Sequence, residues 1–141
     1  MIGISYKIVC VLSLTFVAIC SADAIEKTDR PLQRLRPPAS LKCSRDHLTS
    51  FQGRILAYKR GKNNILLRVR TDEETTETFT LKWAAPDKAE QWFLLGGEEF
   101  KAADWKRIER APGRLIAGTH IIVWVCDDGS KPVFDWQPKE K

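Results

Sequence analysis

The sequence predicts a mainly β domain of five short strands, with one or two short helices between the third and the fourth. Three observations carry this. Apolar residues alternate with polar ones in the stretches 65–71 and 75–83, and 115–126 is a β-branched, apolar run. Gly-, Asn- and Asp-containing turn signals separate these stretches. Beyond residue 24 the chain holds two cysteines, Cys43 and Cys126, which bracket almost the whole pattern.

Residues 1–24 read as a secretory signal. Lys7 gives a positive start, residues 8–19 (IVCVLSLTFVAI) an apolar run, and Ala22-Asp23-Ala24 the small–x–small pattern that a signal peptidase accepts. A helix of this run rises only about 18 Å against roughly 30 Å of hydrocarbon, which disfavours a membrane anchor. Lipid attachment at Cys20 is disfavoured by Ile19, where a small residue is needed. The expected location is therefore periplasmic or secreted, with no integral span after cleavage. The formal charge of +5 survives cleavage, because Lys7 and Asp23 leave together. A modest basic excess favours an acidic or polyanionic partner without demanding one.

Residues 25–50 are expected to form an extended arm. Arg30-Pro31, Arg34, Arg36 and Pro37-Pro38 combine prolines and charges without periodicity. The domain itself is expected over 51–137, followed by a polar tail at 138–141.

The first strand is read at 52–60 (QGRILAYKR), closed by the turn Gly61-Lys62-Asn63-Asn64. The second is 65–71 (ILLRVRT), with Ile65, Leu67 and Val69 on one face and Leu66, Arg68 and Arg70 on the other. The third is 75–83 (TTETFTLKW), whose apolar face holds Phe79, Leu81 and Trp83. Asp87 is placed to cap a helix over 88–95 that stops at Gly96-Gly97. A second helix is expected over 105–110, capped by Asp104, stopped by Pro112-Gly113, with Trp105 and Ile108 sharing a face. The fourth strand, 115–126 (LIAGTHIIVWVC), is apolar on both faces and so expected to be central. Asp127-Asp128-Gly129-Ser130 reads as a tight turn into a closing strand, 131–136, with Pro132 suiting an edge.

Cys10 and Cys20 fall in the leader, so Cys43 and Cys126 are expected to form a disulfide in an oxidising compartment. The alternative is a zinc site using His47 and His120 as well. It fails on geometry, because a strand carrying His120 and Cys126 would hold them about 20 Å apart. No metal and no cofactor are expected.

Three strands, a helical connection and two strands in this length resemble an OB-fold, a small five-stranded Greek-key barrel. The stretch 115–125 looks like the fourth strand of such barrels. The resemblance lies in element order, with no signature motif, and covers residues 51–137. It implies a binding site on the face of strands two and three. The candidate ligand-binding residues are Tyr58, Arg60, Arg68, Arg70, Lys82 and Trp136. Arg54, Lys59 and Lys62 lie close by in sequence. Cations with aromatic platforms are what single-stranded nucleic-acid sites combine. Trp92 and Trp136, near element ends, are expected to be partly exposed.

The functional expectation is a non-catalytic binding or protein-interaction module of unknown ligand. The first alternative is an oligonucleotide- or oligosaccharide-binding face. The second is a metal-dependent hydrolase built on Asp127, Asp128 and Asp135, with His120 nearby; here the turn reading of Asp127-Asp128-Gly129 is the stronger one. Nothing in the chain supplies a nucleophile elbow, and both cysteines are consumed by the bridge. No catalytic residue is assigned.

Overall fold

The computed structural model describes residues 36–139. The expected leader at 1–24, and the arm up to residue 35, lie outside them.

Strand β2 (Asn64–Thr71) shows the rule that builds the sheet. Ile65, Leu67 and Val69 are fully buried, while Leu66 and Arg68 between them are exposed. Alternate side chains of a strand point to opposite faces, so one face enters the core and the other meets water. On either side of β2 run β1 (Leu48–Arg60) and β3 (Thr76–Lys82), both antiparallel to it. Strand β1 is long enough to serve two partners. Its first half pairs with β8 (His120–Cys126) and its second half with β2, the two ladders overlapping at Gly53 and Arg54. At that crossover a Cβ on Gly53 would lie 2.1 Å from the Arg70 carbonyl oxygen, so only glycine fits.

Strand β8 is central, as its two apolar faces predict. It lies between β1 and β9 (Val133–Gln137). The far side of β9 pairs in parallel with β4 (Phe93–Leu95), which leads through a hairpin to β5 (Glu98–Glu99). The sheet thus has seven strands in the order β3-β2-β1-β8-β9-β4-β5. It is not closed, because the edge of β9 that could have met β3 is taken by β4. The fold is mainly β, and in place of the expected five-stranded OB-like barrel the main sheet has seven strands and is open. A separate two-stranded ribbon joins β6 (Glu109–Ala111) to β7 (Arg114–Leu115).

The connection between β3 and β8 departs most from expectation. No helix forms over 88–95. Ala89–Trp92 is a single 3-10 turn, and Phe93, Leu94 and Leu95 are all buried in a strand. The reason is tertiary. Phe93 sits at the centre of an aromatic cluster, with ring centroids of Phe100, Trp105, Phe134 and Trp136 within 5.5 to 6.0 Å. Gly96 and Gly97, both at positive φ, form the two-residue hairpin turn between β4 and β5. The second helix is shorter than expected. A 3-10 turn, Ala102–Asp104, runs into α1 (Trp105–Ile108), after which the chain extends into β6. Trp105 and Ile108 do pack against the same core. Strand β9 is flanked on both sides, so Pro132 does not mark an edge; it precedes the strand, where its missing N–H costs no ladder bond.

Two apolar clusters lie on opposite faces of β8 and β9. The larger holds Ile65, Leu67, Val69, Leu81, Phe93, Ile121, Val123, Phe134 and Trp136 among others. The smaller holds Leu94, Ile122, Trp124 and Val133, with Leu41 and Leu48 packed on it. Leu41 arrives there because Cys43 is bonded to Cys126, the last residue of β8, with Cα atoms 6.1 Å apart.

Candidate functional site

Strands β1, β2 and β3 turn the alternate, outer set of side chains away from the main core. Across β1 and β2, Arg54 stands opposite Arg70, Ala57 opposite Arg68, and Lys59 opposite Leu66. Across β2 and β3, Arg70 meets Thr76, Arg68 meets Thr78, Leu66 meets Thr80, and Asn64 meets Lys82. Five cations, Arg54, Lys59, Arg68, Arg70 and Lys82, therefore share one face. All but the half-buried Arg70 are exposed. Among the described residues none of the five has a carboxylate within 4.0 Å. The acid of β3, Glu77, lies opposite Val69 and so on the other row. Like charges directly opposite each other destabilise an antiparallel pair, and Arg54 with Arg70 is such a pair.

Tyr58 and Arg60 belong to a different place. A bulge interrupts β1 between Ile55 and Ala57, with Leu56 as the extra residue. It resets the alternation, so Tyr58 and Arg60 turn inward while Lys59 turns out. There they grip one carboxylate. Tyr58 donates to Glu109 Oε1 at 2.5 Å, Arg60 to Glu109 Oε2 at 2.6 Å, and the Gly113 amide to Oε1 at 3.0 Å. The Arg60 guanidinium also lies 4.1 Å above the Trp105 ring. Burial, reinforced by the Glu109 hydrogen bond and charge, pushes the Tyr58 phenol well above its ordinary range. The Glu109 side chain is only 3% exposed, so this is an internal clamp pinning the β6–β7 ribbon to β1.

Trp136 is fully buried, contrary to the exposure expected from its place near a strand end. It packs edge-on to Tyr58, Phe93 and Phe134. Pairing of β4 with β9 brings Phe93 alongside, and its ring helps enclose the indole. Trp92 is partly exposed, as expected, with Lys131 stacked 4.0 Å from its ring centre. Of the six candidate residues the fold thus gathers Arg68, Arg70 and Lys82 on the outer face. It sends Tyr58 and Arg60 to the clamp and Trp136 to the core. No protein-family model matches this chain, and neither does any curated protein or solved structure.

The three aspartates near the last turn are each engaged separately. Asp127 lies 2.8 Å from His47 Nδ1 at the surface, and its hydrogen bond and charge raise the His47 pKa above 6.5. Asp128 accepts from the Ser130 amide at 2.8 Å, which forms the turn. Hydrogen bonding by the Ser130 hydroxyl, and then by that amide, lowers the Asp128 pKa. Asp135 is buried in β9 and accepts from the Gly97 amide at 2.9 Å, bracing the β4–β5 hairpin. Burial raises its pKa above 3.8 despite that bond. A carboxylate whose folded pKa is raised opposes folding once ionised. Stability from this group is therefore lost as pH rises from 3.8 through its folded value. Asp135→Asn keeps an acceptor for Gly97 and removes the charge. It is expected to raise the melting temperature at pH 7, with the advantage over the parent vanishing below pH 3.8. A lower melting temperature at pH 7 would show that the charge itself holds the hairpin.

A cleft of about 220 Å³ lies beside the β2–β3 turn, lined by Ser50, Phe51, Gln52, Thr71, Asp72 and Glu73. It is smaller than the roughly 300 Å³ at which small-molecule sites begin.

Proposed function

We propose that this protein is a non-catalytic binding module whose outer β1–β2–β3 face takes a polyanionic partner. The observation that carries the reading is the row of five cations, Arg54, Lys59, Arg68, Arg70 and Lys82, without a neighbouring carboxylate among the described residues. A face that only needed solubility would mix signs, and an Arg opposite an Arg costs stability that a bound anion would return. The longer strands, ordered β3-β2-β1-β8-β9, are read as an OB-like barrel opened beside β9 by the insertion of β4. The face of strands two and three is where OB-like barrels commonly bind oligomers, which agrees with this assignment. The Cys43–Cys126 bridge suits an oxidising compartment, and with the leader-like residues 1–24 it supports a periplasmic or secreted location. Among the described residues no helix is long and apolar enough to cross a membrane.

The test is fluorescence anisotropy with labelled single-stranded DNA and a sulfated oligosaccharide, titrated over a range of salt. The logarithm of the affinity should fall linearly with the logarithm of salt concentration. Arg68→Gln with Arg70→Gln should weaken binding and lower the salt slope by about two, without changing the melting temperature by more than a few degrees. An unchanged slope in the double variant would remove this face from the site.

A further inference from the structure

We propose that the anion this face meets is the headgroup layer of an anionic phospholipid bilayer, an inference that rests on the polyanion reading above. The observation behind it is apolar. Among the described residues two large hydrophobic side chains are exposed, Leu56 at 50% and Leu66 at 37%. Both lie on the cationic face. Leu66 stands between Lys59 and Thr80 in the cross-strand rows and two residues from Arg68. Leu56 is the bulge residue of β1, next to Ala57, which faces Arg68. The bulge, which bends a strand and re-aims its side chains, leaves Leu56 and Ala57 exposed side by side after the outward Arg54.

The face therefore has Leu56, Ala57, Leu66 and Arg68 at its middle, with Arg54, Arg70, Lys59 and Lys82 around them. A lipid surface uses both kinds of group. Leucines enter the boundary between headgroups and acyl chains, while lysines and arginines meet the phosphates. Binding strength scales with the apolar area buried plus the electrostatic attraction to anionic lipids, so the two contributions add. Single-stranded nucleic acid asks for something else, namely aromatic rings on which bases stack. Here Phe51, Tyr58, Phe79 and Trp83 all pack inward on the main cluster. A sulfated polysaccharide would use the cations but gain nothing from the leucines.

The test is co-sedimentation of the oxidised protein with phosphatidylcholine vesicles, with and without about one-third phosphatidylglycerol. Binding is expected to the anionic vesicles and not to the neutral ones. Each neutralised cation should weaken partitioning about fivefold, so Arg68→Gln with Arg70→Gln loses about twenty-five-fold. Leu56→Ser with Leu66→Ser should weaken vesicle binding by roughly tenfold or more, from the apolar area withdrawn. The same leucine pair should leave the affinity for a sulfated oligosaccharide unchanged. An environment-sensitive dye on Leu66→Cys should shift to the blue on anionic vesicles and not on the oligosaccharide. Tight binding of the soluble polyanion with none to anionic vesicles would overturn the bilayer inference and leave the polyanion site standing. Vesicle binding that ignores the leucines would overturn it as well. Failure to bind either ligand would sink both readings.

Discussion

Replacing Glu109 by alanine is expected to lower the unfolding free energy by about 3–5 kcal/mol, the usual cost of removing one member of a buried ion pair. Glu109 is the one acceptor shared by the Tyr58 hydroxyl, the Arg60 guanidinium and the Gly113 amide. Alanine would leave a cation and a phenol facing inward with nothing to receive their protons, beside the Trp105 ring. Glu109→Gln separates charge from shape. It keeps the volume and one acceptor oxygen, and should lose about 1.5–3 kcal/mol, in the range of a hydrogen bond to a charged group. Urea unfolding of the oxidised protein reads both values. A loss below about 1 kcal/mol for the alanine variant would mean that the β6–β7 ribbon is held by packing alone.

Opening the Cys43–Cys126 bond should be comparably severe. The bond joins positions 83 residues apart, and the chain-entropy account assigns such a loop about 4.5 kcal/mol. A domain of this size holds roughly 5–15 kcal/mol in all, so the reduced protein sits near the limit of folding. The native face adds to the loss, because Cys126 is buried and Leu41 reaches the smaller cluster through the same tether. Urea midpoints of Cys43→Ser with Cys126→Ser against the oxidised parent measure the effect. A difference under about 1 kcal/mol would show that the unfolded chain is already compact enough to make the link redundant.

Much of this was legible in the sequence because it is local. The alternation Ile65, Leu67, Val69 against Leu66, Arg68, Arg70 is a two-residue rhythm, and it placed the cationic row of β2 correctly. The apolar run of β8 announced a strand covered on both sides, and the cysteine count announced the bridge. What was hidden depends on distant partners or on a single inserted residue. Gly96-Gly97 stops a helix or turns a hairpin with equal ease, and only the aromatic surroundings of Phe93 decide for the hairpin. The bulge at Leu56 leaves no mark in a stretch reading ILAYKR, yet it determines that Tyr58 and Arg60 face Glu109 instead of solvent. Glu109 itself sat in a stretch read as helix, and its two side-chain partners lie 49 and 51 positions away. Trp136 looked terminal along the chain, whereas in the sheet it is interior.

The position of the disulfide makes the domain a closed loop with one loose member. Strands β1 to β8 all lie between Cys43 and Cys126, inside a covalent ring. Strand β9 alone follows it, yet β9 is clasped between β8 and β4 and feeds both apolar clusters. The chain crosses from ring to strand through the exposed residues 127–130. Cleaved there, the oxidised protein would become a macrocycle with a vacant slot and a separate peptide carrying Val133, Phe134 and Trp136. The β8–β9 turn is thus the natural point at which to split the molecule into two complementing fragments.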